Sequence, residues 1–560
     1  MRIAAVVALS GLFAGAQASL EAQVVEIRVN AEERLGPTTP MWTWFGHDEP
    51  NYTYMENGRK LLDELVELSP VPVHIRTHNL LTSGDGTAAL KWGSTNAYTE
   101  DAEGNPVYDW TIMDRIMDTY VERGIRPLVE IGFMPEALTT GPQPYRHTWQ
   151  PGDDYGDIYT GWAYPPKDYE RWSNLVYEWV RHSVERYGRE EVESWHWQVW
   201  NEPDIGYWQG TKEEYFKLYD YAAAGLKRAL PTAKIGGPHV TGPRGERTQQ
   251  YLRDFIEHCL RGTNYATGET GSPLDFVAFH AKGAPRVMED GHVRMGLSGQ
   301  LDAISKGFEI VASFPAIAGI PIVIGESDPE GCAACPTTHY PQYGYRNGTM
   351  FSSYTAAQLA RTWELAELYG VNLLGSLSWA FTFEEQPYFA GFRSLATNGI
   401  DKPVLNTFRM LGMMRGDRIR VESTGALPLE TVRAESVRGQ PDINAIATRA
   451  EGRIAVLVWN YHDDDLPAQD ATVELLIEAV PGGTPRLTHH RVDREHSNSY
   501  EVWKRMGSPA EPTPEQYATL EQAGQLEMLD EPRVIDVTDG RVRVSFALPR
   551  QAVSLITLDW

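Results

Sequence analysis

Cysteine, cationic side chains and long apolar runs are scarce in this 560-residue sequence. Three cysteines cannot staple a small disulfide-dense scaffold. Cys332 and Cys335 form a C-x-x-C pair, able to close a small disulfide loop in an oxidising compartment, while Cys259 lies in a helical stretch and reads as a buried thiol. A zinc site needs a second pair of ligands, and no second cysteine pair exists. No metal and no cofactor are therefore expected. Lys and Arg number 50 against 76 Asp and Glu, a net charge of −26. So acidic a surface repels nucleic acid and anionic membranes, and neither is expected as a partner. Past the N-terminal segment no apolar run reaches the roughly 18 residues of a membrane helix, which excludes membrane insertion. No solenoid-type repeat is present, and no glycine-rich phosphate fingerprint follows the first strand-like run.

What is present points to a large globular chain. Hydrophobic residues make up 42% of it, enough to bury an extensive core and to exclude disorder as its dominant state. Aromatic residues are plentiful, with 17 Trp, 27 Tyr and 16 Phe. Most serve cores, but indole faces also stack on sugar rings. Residues 1–18 read as an export signal: Arg2 supplies a basic start, residues 3–15 an apolar stretch, and Ala16-Gln17-Ala18 a small-residue cleavage site. The mature protein is expected in the periplasm or the medium.

Strand-like apolar runs at 41–45, 73–77, 127–133, 195–200, 234–237, 276–279, 322–324 and 373–379 alternate with amphipathic helical segments, among them 57–68, 110–123, 167–187, 212–230 and 352–369. Such alternation over residues 36–415 predicts an α/β fold, a (β/α)8 TIM barrel with enlarged loops. From 416 to 560 short alternating β-rich runs predict a C-terminal antiparallel β-sandwich domain, completed by an N-terminal strand at 23–35. Within that domain a polar, partly helical stretch begins a helix at Thr513-Pro514-Glu515.

Sites on such barrels lie at the C-terminal ends of the strands. The fourth run ends in Trp200-Asn201-Glu202-Pro203 and the seventh in Ile324-Gly325-Glu326-Ser327-Asp328. Two carboxylates facing each other across the mouth are what a retaining glycosidase needs, one kept protonated as acid/base and one ionised as nucleophile. Either glutamate alone would pass for an ordinary surface carboxylate.

This layout resembles glycoside hydrolase family 39, and the likeness runs along most of the chain. It includes Arg76-Thr77-His78, Gly132-Phe133-Met134-Pro135, Trp200-Asn201-Glu202-Pro203-Asp204, Ile235-Gly236-Gly237-Pro238 and Asp401-Lys402-Pro403-Val404, then Val456-Leu457-Val458-Trp459-Asn460-Tyr461, His496-Ser497-Asn498-Ser499 and Trp503-Lys504-Arg505-Met506-Gly507-Ser508-Pro509. The resemblance implies Glu202 as acid/base, Glu326 as nucleophile and Asn201 as donor to the hydroxyl beside the anomeric carbon. It places Arg76 and His78 beside the nucleophile or the sugar. His280, Trp379 and His47 complete the expected substrate-binding set.

The sixth run, Phe279-His280-Ala281-Lys282-Gly283-Ala284, is similar to the α-L-iduronidase pattern, in which the lysine contacts the sugar carboxylate. Arg393 stands where that pattern has a substrate-binding arginine. Ser378-Trp379-Ala380-Phe381 departs from it, lacking the aspartate expected near Trp379. The expectation is a retaining exo-glycoside hydrolase on an oligo- or polysaccharide, leaning to a uronic-acid glycone. A β-xylosidase on xylo-oligosaccharides is the alternative on the same scaffold, and a non-catalytic carbohydrate-binding barrel the alternative of another class. Residues 331–346, directly after Glu326, are expected to shape the leaving-group side. Asn51-Tyr52-Thr53 and Asn347-Gly348-Thr349 match glycosylation acceptors.

Overall fold

The computed structural model describes residues 23–379 and 381–560. The expected export signal lies outside the described residues. Eight parallel strands follow one another around a barrel: Trp44–His47, His74–Thr77, Arg126–Ile131, His196–Val199, Lys234–Val240, Phe276–Lys282, Pro321–Asp328 and Asn372–Ser376. Each pairs with the next, and Ser378 bridges to Phe45 in parallel, bringing the last strand round to the first. Helices between the strands start where the local sequence supplies caps. The Asp168 side chain caps Tyr169–Tyr187, and Thr211 with Glu214 forms a capping box on Lys212–Ala229.

The lower end of the barrel is plugged by aromatic rings from the strand starts. Trp44 stacks on His74 at 3.8 Å, and His196 packs edge-on against Trp44, His74 and Phe276. Burial, helped by nearby cations, keeps both histidines uncharged, the His196 ring held down at about 4. Chemistry is thereby confined to the opposite, C-terminal mouth.

Apart from three two-stranded ribbons (Tyr98–Glu100 with Pro106–Tyr108, Arg286–Val287 with Val293–Arg294, and Ala396–Thr397 with Ile400–Asp401), the other strands form one hydrogen-bonded sheet. Its order is Glu527–Met528, Arg486–Val492, Val553–Asp559, Arg453–Tyr461, Asp442–Ala450, Asp417–Ser423, Val24–Pro37, Ala471–Glu478 and Arg541–Leu548, with Arg533–Val534 on the flank of Arg486–Val492. An all-antiparallel sheet was expected; this one is mixed, because Val24–Pro37 runs antiparallel to Asp417–Ser423 but parallel to Ala471–Glu478. A strand arriving from the far end of the chain need not obey hairpin polarity. The side-chain alternation of Arg453–Tyr461 joins the two parts. Ile454, Val456 and Val458 enter the core shared by the sheet strands, whereas Ala455, Leu457, Trp459 and Tyr461 pack into the barrel's core. Between these strands lie the helices Ser499–Arg505 and Pro514–Ala523, the second starting at a Thr513–Gln516 capping box.

Candidate active site

The fourth strand ends in a distorted turn. Trp200 and Glu202 take positive φ values of 68° and 41°, and His239 at the end of the fifth strand takes 53°. Non-glycine residues in this region cost about 1–3 kcal/mol each, so neighbouring structure must hold them there. The Trp200 N–H donates to the Ile131 carbonyl (3.2 Å), its indole Nε1 to the Tyr207 carbonyl (2.8 Å), and the Glu202 N–H to the His239 carbonyl (3.0 Å). The turn delivers the Glu202 carboxyl into the barrel mouth, where it lines a cavity of about 520 Å³.

Glu326 enters the same cavity from the seventh strand, whose shifted register against the sixth sets it beside His280 and sets Asp328 beside Lys282. Carboxylate oxygens of Glu202 and Glu326 lie within 4.8 Å of one another and of a ring nitrogen of His280. Arg76, wholly buried at the end of the second strand, organises the floor. Its Nη1 donates to Glu326 Oε1 (3.0 Å), its Nη2 to Glu130 Oε2 (3.0 Å) and Asn201 Oδ1 (2.8 Å), and its Nε to Gln198 Oε1 (2.9 Å). Binding Asn201 through its oxygen turns the amide NH2 of that residue toward the cavity it lines. Lys282 Nζ donates to the second oxygen of Glu326. His280 Nδ1 lies 2.8 Å from Glu202 Oε1. His78 sits with Nδ1 2.8 Å from Asp48 and Nε2 3.8 Å from Glu326. The Trp379 ring packs against His78 and over the Arg76 guanidinium.

These surroundings drive the two carboxyls apart. Burial, then the charge of Glu326, pushes Glu202 up to about 7, against the pull of Lys282 and Arg76. Burial also opposes ionisation of Glu326, but Lys282 and Arg76 outweigh it and hold the group well below the usual carboxylate range. Burial keeps His280 neutral. Below about pH 7 Glu202 is therefore protonated while Glu326 stays ionised. Although Glu202, His280 and Glu326 approach closely enough to suit a cation, both oxygens of Glu326 already accept from cationic side chains.

His78, Asn201, Glu202, Lys282, Glu326 and Trp379 thus line one mouth, and Arg76 and His280, wholly buried, meet Glu326 and Glu202 from behind it. Arg393 and His47 do not line the cavity. Arg393 is fully buried behind the seventh strand: Nη1 donates to the Glu330 carbonyl and to Glu330 Oε1 (3.0 Å), Nε donates to the Trp379 carbonyl (2.8 Å), and Nη2 lies 3.5 Å from Asp328. Arg393 therefore does not join Lys282 at the cavity, because buried ion pairs consume it. His47 stacks on Phe381, contacts Tyr120 OH (3.1 Å) and is held at about 3 by burial. Both candidate glycosylation asparagines are buried too, Asn51 bonding Ser94 and Asn347 the Phe389 carbonyl.

Cys332 and Cys335 are joined by a disulfide, and both line the cavity with Tyr340 and Tyr343. Arg346 ties this loop down, donating to the Cys335 carbonyl (2.7 Å), the Cys332 carbonyl (2.5 Å) and Glu330 (2.7 Å). The lining also includes Asp48, a weaker candidate of the sequence after the first strand, and Lys91, Tyr155, Tyr159 and Tyr207, which the sequence reading missed. No periodicity marks residues 78–97. A lysine beside a tryptophan in so acidic a chain was the available signal.

A mouth of paired carboxyls, amide and guanidinium donors and aromatic walls, set on a (β/α)8 barrel, defines a carbohydrate-active enzyme. The family model for glycosyl hydrolases family 39 matches residues 25–539, and the chain belongs to that family; it is a glycoside hydrolase. It is 29% identical over 503 residues to a β-xylosidase of Geobacillus stearothermophilus, covering 87% of this chain and 86% of that one. An α-L-iduronidase of Mus musculus is 23% identical over 528 residues, covering 88% and 75%. The solved family 39 enzyme from Xanthomonas axonopodis pv. citri superposes with a TM-score of 0.73 at 22% identity, over 95% of this chain and 97% of that one.

Proposed function

We propose that this protein is a retaining exo-acting glycoside hydrolase, with Glu202 as acid/base and Glu326 as nucleophile. The observation that carries the reading is the pair of carboxyls within 4.8 Å, one pushed up to about 7 and its neighbour held ionised. Retaining enzymes space these groups at about 5–5.5 Å, whereas inverting ones need about 6.5–9.5 Å to admit water. In the first step Glu326 attacks the anomeric carbon as the glycosidic bond breaks, and the aglycone oxygen leaves with the Glu202 proton. In the second, Glu202, now ionised, takes a proton from water, whose oxygen displaces Glu326 and restores the starting state. Asn201 donates to the hydroxyl beside the anomeric carbon. Arg76 and Lys282 hold Glu326 ionised and ready to leave.

The glycone we propose is a neutral sugar of the β-xyloside kind. Lys282 is bonded to Glu326, and Arg393 is spent on Asp328 and Glu330, so neither stands free for a sugar carboxylate. The α-L-iduronide reading keeps one observation in its favour: Lys282 and Arg244 both line the cavity. Initial rates on matched chromogenic β-D-xyloside and α-L-iduronide decide between them. The xyloside is expected to be cleaved faster, and Lys282→Met to harm both through Glu326. Faster cleavage of the iduronide, lost selectively in Lys282→Met, would reverse the assignment. The disulfide at Cys332–Cys335 supports export to an oxidising compartment.

A further inference from the structure

Lys91 is a further cation lining the cavity, and the mechanism above does not use it. It is held with unusual care for a loop lysine. Its backbone adopts φ +56°, its N–H donates to Glu49 Oε1 (2.7 Å), and its carbonyl is met by His147 Nε2 (3.0 Å). Its side chain is 4% exposed and still reaches the cavity. There Nζ donates to Asp48 Oδ2 (2.7 Å) and Tyr207 OH (3.2 Å), and it lies over the ring faces of Tyr155 and Tyr207. Tyr155 OH in turn meets Tyr207 OH at 3.0 Å. Removing an ammonium from water is costly, and a buried pair offers less stability than apolar packing of the same volume. A purely structural role gives no reason for the pair to face a cavity.

The position of the pair indicates its use. Asp48 Oδ1 is 2.8 Å from one nitrogen of His78, and the other nitrogen of that ring is 3.8 Å from Glu326 Oε1. One imidazole thus separates the Lys91–Asp48 pair from the nucleophile. A single sugar ring whose anomeric carbon stands at Glu326 has its far hydroxyls within reach of that pair. Adjacent carboxylate and ammonium groups suit two neighbouring hydroxyls: Asp48 accepts from one, and Lys91 donates to the oxygen of the other.

We propose that Lys91 and Asp48 form a diol-recognising pair that reads the non-reducing-end hydroxyls of the terminal sugar. They close the cavity behind it and set its specificity. This inference rests on the Glu326 nucleophile reading, because the sugar is oriented from that residue.

The test compares the chromogenic glycoside that the wild type cleaves with its 3-deoxy and 4-deoxy analogues, in wild type, Lys91→Gln and Asp48→Asn. A hydrogen bond to a charged group fits a loss of about 10- to 100-fold in kcat/KM on the parent glycoside. Each variant is expected to lose less than about 3-fold on the one analogue that lacks its own partner hydroxyl. Equal losses on the parent and on both analogues would overturn the proposal, since a merely structural role lowers all three alike. Should Lys91→Gln not fold, Asp48→Asn and Tyr207→Phe are read by the same comparison. Calorimetric binding of the free monosaccharide to Glu326→Gln adds a readout independent of turnover. Binding that weakens on adding Lys91→Gln supports the pair, and unchanged binding overturns it. Turnover surviving in Glu326→Gln alone would instead condemn the nucleophile assignment, so the two failures are distinguishable.

Discussion

Glu202 and Glu326 are the same residue type in one cavity, and their difference is imposed by neighbours. Glu326 accepts from two cations, while Glu202 faces a neutral imidazole and the charge of Glu326. Glu326→Gln is expected to lose activity by roughly 10⁴-fold or more while ligand binding survives, because the amide cannot act as the attacking carboxylate. Glu202→Gln should lose about 10²–10⁴-fold on alkyl aglycones but much less on dinitrophenolate, which leaves without a proton. The pH profile follows from the same two groups. Activity falls on the alkaline side as Glu202 loses its proton near pH 7, and on the acid side only as Glu326 is neutralised, below the ordinary carboxylate range. Lys282→Met removes the nearest cation, so its acid limb should move to higher pH. An unmoved limb would show that Lys282 does not set the charge of Glu326.

Glu202 also links activity to stability. Its folded pKa, about 7, lies above its unfolded value, so the unfolded chain releases this proton first as pH rises. The cost is absent below about pH 4, grows up to pH 7 and stays full above it, reaching at most about 3 kcal/mol. Glu202→Gln should therefore raise the melting temperature at pH 8 and change it little at pH 4. Equal shifts at both pH values would contradict this.

At the scale of elements, strand placement was legible and strand endings were not. The apolar run at 276–279 predicted the sixth strand, yet the strand extends to Lys282. Hydropathy fades where strands reach the mouth because ionisable residues are put to use there. Glu202 and Glu326 could be found since each follows an apolar run directly. Lys91 could not, because an irregular loop with a positive-φ backbone carries it. Arg393 was misread for a related reason: family position located the residue, but its ion pairs depend on Asp328 and Glu330, far off in sequence. Close strand packing also constrains the site. A Cβ added to Gly46 would stand 2.3 Å from the Trp379 ring. Gly46→Ala should thus displace the indole, costing about 1–3 kcal/mol in urea unfolding together with a loss of kcat/KM. Full activity in this variant would mean that the Trp379 position is not critical.

In the whole molecule the barrel and the mixed sheet are one folding unit by construction. Strand Arg453–Tyr461 gives alternate residues to both cores, and Arg361 of the barrel helix Thr349–Tyr369 donates to Asp442 (2.9 Å) and the Leu427 carbonyl (2.8 Å). Strand Val24–Pro37 sits inside the sheet, with a neighbour on each side. Calorimetry should therefore show a single transition. A chain ending at residue 415 should not fold, since it would expose the barrel surface that Leu457, Trp459 and Tyr461 cover. Two separate transitions, or a soluble active fragment, would contradict this.

The central claim is that Glu326 attacks the sugar. A 2-deoxy-2-fluoro glycoside of the cleaved sugar slows both steps and, with a good leaving group, lets the glycosyl-enzyme accumulate. Mass spectrometry of the intact protein and its peptides should find one added fluoroglycosyl group, on Glu326. Hydrolysis of the ordinary substrate followed by NMR should release the sugar first in its original anomeric configuration. A product of inverted configuration, or a label on any other residue, would contradict the account.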